Sequence, residues 1–308
     1  MIKKFIIGID LGGTNLKCSL LDNKLKIRAR NSFSTKSFNS KEKLIRGLAD
    51  SINNFILSSG YDAGAILGVG IGVPGPVDTF KGIVHFLPNI PGWKEVNLKK
   101  VLEKKTGLKV FIDNDARLMS LAESKIGAAR GFSNVLCLTL GTGVGGGLIL
   151  NNLLYRGKDN AAGEFGHVPI NITGPKCGCG SEACIETYIG NNAIKKSAVS
   201  IFGAGISLEK ISYLARNNNR KAVKFWNEAG KKLGIALSGA VNLLNLDAVV
   251  IGGGVSSAGW PLFEGIKQAI AKRSMSVQGK RVKIYRAKLG VDAGIIGAGY
   301  LVKERLGI

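Results

Sequence analysis

Hydrophobic runs in this chain come in two matching phrases. Residues 5–22, "FIIGIDLGGTNLKCSLLD", set an apolar β-rich run, a small glycine turn and a second apolar run in succession. Residues 135–151, "VLCLTLGTGVGGGLILN", repeat that grammar. Each reads as a strand–turn–strand unit. Between them, "KEKLIRGLADSINNFILSS" (41–59) has helical spacing and leads to the strand-like "GAILGVGIGVP" (64–74). The helical "NLKKVLEKKTG" (97–107) likewise leads to the strand "KVFID" (109–113). Further on, residues 221–245 predict a long amphipathic helix ahead of a buried strand, "DAVVIGGG" (247–254), and 290–308 predict a closing helix rich in small residues. Strands alternating with helices predict an α/β fold. The paired openings suggest a duplication with a nucleotide held between two lobes. The expected lobes are 1–113, joined by the closing helix 294–308, and a larger 114–293.

Composition adds limits. The chain has 308 residues, 45% of them hydrophobic and 21% charged, enough for two cores of an ordinary globular protein. The net charge of +22 raises the question of nucleic acid or membrane partners. Its basic pairs (Lys3-Lys4, Lys99-Lys100, Lys104-Lys105, Lys231-Lys232) are scattered, and no helix-turn-helix or zinc-finger spacing accompanies them. A lysine-rich background serving anionic substrates is therefore expected, with neither nucleic acid nor membrane as partner. The apolar run "FIIGI" is broken at once by Asp10, so no leader is expected and the cytoplasm is the expected location. Five cysteines, an odd number, argue against a complete disulfide framework.

Glycine clusters where phosphates could bind. The P-loop pattern is absent: Gly157-Lys158, Gly230-Lys231 and Gly279-Lys280 lack the upstream glycine and the following Ser or Thr. Two G-x-G-x-x-G matches, at Gly70/Gly72/Gly75 and Gly141/Gly143/Gly146, run into Pro74 and Pro76 or into "LIL". A dinucleotide fold needs a helix there, so that fold is excluded. The two tight turns can instead offer backbone N–H groups to phosphates: Gly12, Gly13, Thr14 and Asn15 in the first, with Lys17 as a cationic contact, and Gly141, Thr142 and Gly143 in the second. Asp10 just before the first turn could hold Mg²⁺, or simply accept backbone N–H bonds in the turn.

The stretch "GHVPINITGPKCGCGSEACIE" (166–186) holds His167, Cys177, Cys179 and Cys184. A Cys₃His set suits tetrahedral zinc, whereas a disulfide across the single residue between Cys177 and Cys179 would be strained. With four protein ligands and no open position, the zinc would be structural. Cys18 and Cys137 lie in apolar strands and read as buried thiols, and His85 has no evident partner. Trp93 in "PGW" reads as a core aromatic, with sugar stacking as the alternative.

The motifs "GIDLGGTNLK", "GVGIGVPGPVD", "NDA", "LGTGVGGG", "GEFGH" and "CGCGSEACIE" stand in the order seen in the ROK family (repressors, open reading frames, kinases). The chain resembles that family, part of the actin-like ATPase and sugar-kinase superfamily, over residues 5–302. The resemblance implies two ribonuclease-H-like lobes with a cleft, Mg²⁺-ATP as donor, a hexose as acceptor and a homodimer. Asp115 matches the family's catalytic base, with Asp113 as the local rival. Gly75, Asn89, Asn114, Glu164, His167 and Glu186 match positions used for sugar. Gly252, Gly253 and Gly254 resemble the adenosine loop, although a packing turn would look the same. The activity implied is that of an ATP-dependent hexose kinase, first a glucokinase. N-acetylmannosamine kinase and fructokinase are neighbours within that reaction class, and a sugar-responsive regulator without its DNA-binding domain is the less favoured reading. One departure stands out: Ala183 occupies the second glycine position of the family's C-G-x-x-G-C pattern, where a left-handed backbone would cost about 1 kcal/mol more with Ala.

Overall fold

In a computed structural model of the protein, residues 4–12, 15–35, 38–87 and 90–308 are described. The chain forms two compact units. The first comprises residues 1–122, 156–162 and 291–308, and the second comprises 123–155 and 163–290.

The first unit opens with β1 (Phe5–Leu11) and β2 (Asn15–Asp22), an antiparallel pair with Asp10 opposite Lys17. Beyond them lies β3 (Ile27–Ser34), then α1 (Lys41–Ser59), capped by the Ser40 hydroxyl, which accepts the Lys43 N–H. β4 (Ile66–Val73) runs parallel to β1, with Gly72 beside Asp10. Three two-residue strands, β5 (Val77–Asp78), β6 (Ile83–Val84) and β7 (Val96–Asn97), make a small separate sheet. Here Trp93 is buried and donates its Nε1–H to the Val84 carbonyl at 3.0 Å, so it belongs to the core. His85, which showed no partner in the sequence, has Nδ1 at 2.9 Å from the Glu95 carboxylate. Then come α2 (Leu98–Thr106), β8 (Val110–Asn114) parallel to β4, and α3 (Asp115–Ile126). The expected boundary at 113/114 falls beside the junction of β8 and α3, whereas the units part within α3, after Ala122.

The second unit is built from β9 (Val135–Leu140), β10 (Val144–Leu150), β11 (Leu153–Tyr155), α4 (Glu186–Ile189), α5 (Asn191–Phe202) and α6 (Leu208–Arg216). It continues with α7 (Arg220–Leu244), β12 (Ala248–Gly252), α8 (Trp260–Arg273), α9 (Ser276–Arg281) and β13 (Lys283–Arg286). The long α7 buries Phe225, Trp226, Leu233, Leu237 and Val241 at helical spacing. It can lie close to α8 because Gly230 has no side chain, and a Cβ there would strike the Leu262 carbonyl. Each such buried side chain contributes about 1.5–3 kcal/mol of apolar burial. Finally α10 (Ala293–Leu306) rejoins the first unit and packs on β1 and β4.

The two sheets share one topology. Their strand orders are β3-β2-β1-β4-β8 and β11-β10-β9-β12-β13. In both, a first strand pairs antiparallel with the second and parallel with the fourth. That repeat is the duplication expected from the paired hydrophobic phrases, in the ribonuclease-H-like form that the family resemblance implies. It puts the two glycine turns in equivalent places, between β1 and β2 and between β9 and β10. Among the described residues, no helix is long and apolar enough to cross a membrane.

Candidate active site

In the first unit, functional groups gather at the carboxyl ends of β1, β4 and β8, where parallel strands in α/β sheets collect ligands. Asp10 lies at the end of β1. Burial pushes its carboxyl above the usual aspartate range, and the Lys17 ammonium, 4.0 Å away, partly opposes this. The turn after it is tight: Gly12 N–H donates to the Asn15 carbonyl at 2.9 Å. Gly13, Thr14 and Asn89 lie outside the described residues. A cavity of about 300 Å³ next to this turn is lined by Leu11, Gly12, Phe38, Pro74, Leu87 and neighbours.

At the end of β8 the backbone passes from strand to helix within one residue. Asn114 caps α3, since its Oδ1 accepts the N–H groups of Ala116 (3.0 Å) and Arg117 (3.2 Å). Its Nδ2 donates to the carbonyl of Gly75 at 3.2 Å, so the Pro-Gly-Pro turn, with Gly75 at φ +106°, is fastened to the cap. Asp115 begins α3 and its Oδ1 accepts the Ala116 N–H at 2.8 Å. A carboxylate in the first turn is favoured by the helix dipole. Asp113, the rival base, is wholly buried. It is engaged by Arg156 Nε at 2.9 Å and Arg117 Nη1 at 3.4 Å.

In the second unit the glycine turn, Glu186 and the cysteine loop form one network. Gly141 N–H donates to the Gly143 carbonyl, and the Gly141 carbonyl accepts from Asn191, each at 2.9 Å. Glu186 starts α4, and its Oε2 accepts the Val144 N–H at 2.9 Å. A Cβ on Gly143 would meet the Glu186 carboxylate, so a side chain there would have to push that carboxylate aside. On the other side Glu186 Oε1 is 4.0 Å from Cys177 Sγ. Gly253, at φ +80°, lies against the Leu140 backbone, which brings the end of β12 next to the same turn.

The cysteine loop is a small knuckle. Cys177 N–H donates to the Ser181 carbonyl, Gly180 N–H donates back to Cys177, and Ile170 and Ala183 hydrogen-bond across the base. It gathers one ligand atom each from His167, Cys177, Cys179 and Cys184 within 4.8 Å of one another. The His167 Nδ1–Cys177 Sγ distance is 3.6 Å and Cys179 Sγ–Cys184 Sγ is 3.8 Å. Tetrahedral coordination with metal–sulfur bonds of about 2.3 Å separates sulfurs by about 3.8 Å. A disulfide would bring them to about 2.05 Å, and all the cysteines are free. The Ser181 backbone N–H lowers the Cys179 thiol, while burial and the adjoining sulfurs push Cys184 up to about 12. Three sulfurs packed this closely need a cation to become thiolates together, so the donor set fits a metal ion. Ala183, with φ +55° and no exposure, does adopt the left-handed backbone expected at that position. The remaining thiols, Cys18 and Cys137, are buried in β2 and β9.

A model of the ROK family matches residues 6–305. The chain belongs to the ROK family. The glucokinase of Thermotoga maritima is 36% identical over the full length of both chains. The crystal structure of a ROK glucokinase from Streptomyces griseus, in complex with glucose and AMPPNP, superposes with a TM-score of 0.81 at 32% identity, covering 97% of this chain and 99% of that one. A ROK transcriptional regulator, a homologue of the E. coli MLC protein, gives a TM-score of 0.90 at 27% identity, covering 98% of this chain and 78% of that one.

Within this ROK chain, two relationships escaped sequence reading. Arg156 reaches Asp113 and Glu304, and Glu186 is bonded to Val144. A lone Arg in "LYRGK" carried no pattern that pointed to a partner. Glu186 is expected toward sugar, and it also fastens the second glycine turn. A larger groove, about 380 Å³ along β13, contains none of the expected site residues.

Proposed function

We propose that this protein is an ATP-dependent hexose kinase that transfers the γ-phosphoryl group to the 6-hydroxyl of glucose, with Asp115 as general base. The observation that carries the reading is the contrast between two adjacent carboxylates: Asp113 is buried in arginine, and Asp115 stands at the head of α3 beside a fixed Asn114. The full-length likeness to bacterial glucokinases supports glucose as the acceptor.

Phosphoryl transfer requires charge neutralisation, a positioned hydroxyl and a base for its proton. Asp115 accepts that proton as the hydroxyl oxygen attacks, a role typically worth about 10²–10⁴ in rate. Asn114, together with Gly75 in the turn it fastens, holds the sugar on the first unit. Asn89, Glu164, His167 and Glu186 are the other sugar contacts. Backbone N–H groups of the Gly12–Asn15 and Gly141–Gly143 turns receive the phosphates, with Lys17 nearby. Gly253 and Gly254 let the adenosine approach the backbone. Asp10 would hold the Mg²⁺ that neutralises phosphate charge, and its half-buried carboxylate, with only Lys17 4.0 Å away as an ion-pair contact among the described residues, fits that task.

The cysteine knuckle is assigned to structural zinc held by His167, Cys177, Cys179 and Cys184. With Nδ1 facing Cys177, the other ring nitrogen of His167 can meet a sugar hydroxyl. A zinc ion held there would orient His167 and, through the loop, Glu186.

The test is ADP release from Mg-ATP with glucose, mannose, fructose, N-acetylglucosamine and N-acetylmannosamine. A strong preference for glucose is expected. The close backbone match to a transcriptional regulator favours a sugar sensor as the second reading, and sugar binding without turnover would move the assignment there.

A further inference from the structure

We propose that Arg156 is a positioning residue for Asp115, acting through Asp113. The inference rests on the kinase reading of Asp115 and concerns how that base is held.

A carboxylate as buried as Asp113 must be paired. Its two oxygens have different tasks. Oδ2 takes the Nε–H of Arg156 at 2.9 Å, the shorter of its two guanidinium contacts. Oδ1 takes the backbone N–H of Asn114 at 2.8 Å. Arg156 therefore fixes the plane of the carboxylate, and the carboxylate fixes the peptide that leads into Asn114. Asn114 in turn caps α3 and grips Gly75, and Asp115 follows as the first helical residue. The chain Arg156–Asp113–Asn114–Asp115 is continuous within the first unit.

Buried ion pairs are commonly matched in stability by apolar side chains, so the pair is read as a means of orientation. Arg156 is also anchored in its own loop: Ala162 N–H donates to the Arg156 carbonyl at 3.0 Å, and Gly157 turns the chain at φ +70°. That segment, 156–162, runs directly into the "GEFGH" stretch with Glu164 and His167.

The molecule supplies an internal control. The same guanidinium contacts Glu304 through Nη1 at 3.4 Å, and Glu304 is 46% exposed. Steady-state kinetics on the full chain, with the sugar that the wild type phosphorylates, separate the roles. Arg156→Met is expected to lower kcat by 10- to 100-fold with KM for Mg-ATP within twofold. Arg156→Lys keeps a charge near Asp113 and is expected to recover part of kcat. Glu304→Gln is expected to stay within twofold in kcat even where Tm falls. If Arg156→Met fails to fold, the comparison of Arg156→Lys with Glu304→Gln at matched Tm carries the test. A kcat for Arg156→Met within threefold of wild type, or an equal loss in Glu304→Gln, overturns the proposal. A wild type that phosphorylates no sugar removes the kinase reading and this assignment together, an outcome seen before any variant is assayed.

Discussion

Glu186 Oε2 accepts the backbone N–H of Val144 at 2.9 Å, so the residue that follows the cysteine knuckle also fastens the end of the second glycine turn. A residue expected to bind sugar is thus a strut of the second glycine turn. Gly143→Ala drives a methyl group into the Glu186 carboxylate. Overpacking of this kind costs about 1–3 kcal/mol, and the carboxylate must leave Val144. The expected result is a fivefold or greater rise in KM for both sugar and Mg-ATP, with a lower Tm. Gly254→Ala, where a Cβ meets nothing within 4 Å, serves as the comparison for stability. A Gly143→Ala enzyme with unchanged KM values would show that the strut is dispensable.

Asp113 and Asp115 should differ in kind on mutation. Asp115→Asn is expected to lower kcat by about 10²–10⁴ while Tm changes little, since its side chain lies at a helix start. Asp113→Asn removes the counter-charge of Arg117 and Arg156, which are 1% and 11% exposed. Breaking a buried pair in this way costs about 3–5 kcal/mol, so its signature is a large fall in Tm together with the smaller kcat loss expected when Asp115 is no longer positioned. Thermal melts and kinetics on the two variants give the answer, and a fewfold loss of kcat in Asp115→Asn would move the base elsewhere.

Removal of metal should unlock the sugar residues before the nucleotide turn of the first unit. One zinc per chain is expected by elemental analysis. Cys177→Ser or dialysis against a chelator should lower Tm and raise KM for sugar at least tenfold. Retention of full stability and sugar affinity without zinc would reduce the knuckle to an ordinary loop.

How far the sequence carried these conclusions depends on the kind of signal. The two hairpins, α1, α7 and the closing helix were legible because apolar spacing reflects burial on one face. The cysteine knuckle was legible because its ligands lie close along the chain, and the same local pattern exposed the left-handed Ala183. The edge strands β3 and β13 were harder to read: both are largely exposed, the alternation of Ile27, Ala29 and Phe33 in "IRARNSFS" is interrupted by Asn31, and "KIYR" is too short to show a period. Arg156 with Asp113 and His85 with Glu95 were not legible, because side-chain ion pairs leave no period in the sequence. The return of 156–162 to the first unit escaped for the same reason: chain topology decides it, and no composition shift marks its ends.

Asp10 offers a test that distinguishes a metal ligand from a turn residue. Burial raises its carboxyl above the unfolded value, against the partial opposition of Lys17. A group with a raised folded value favours the protonated folded state. Its contribution to stability is complete below the ordinary aspartate range, near pH 4, and is lost as pH rises through the folded value. At neutral pH the buried charge is therefore a burden, and Asp10→Asn, which mimics the protonated form, should be the more stable protein. The expected outcome is a higher Tm for Asp10→Asn than for the wild type at neutral pH. The gap should close as pH falls toward 4. The same variant should lose kinase activity and the thermal stabilisation that Mg-ATP gives the wild type, because the carboxylate is kept for the cation. Melts between pH 4 and 8, with and without Mg-ATP, decide the point. If Asp10→Asn is less stable at neutral pH, the carboxylate is serving as a backbone acceptor in the turn, and the magnesium role passes to another residue.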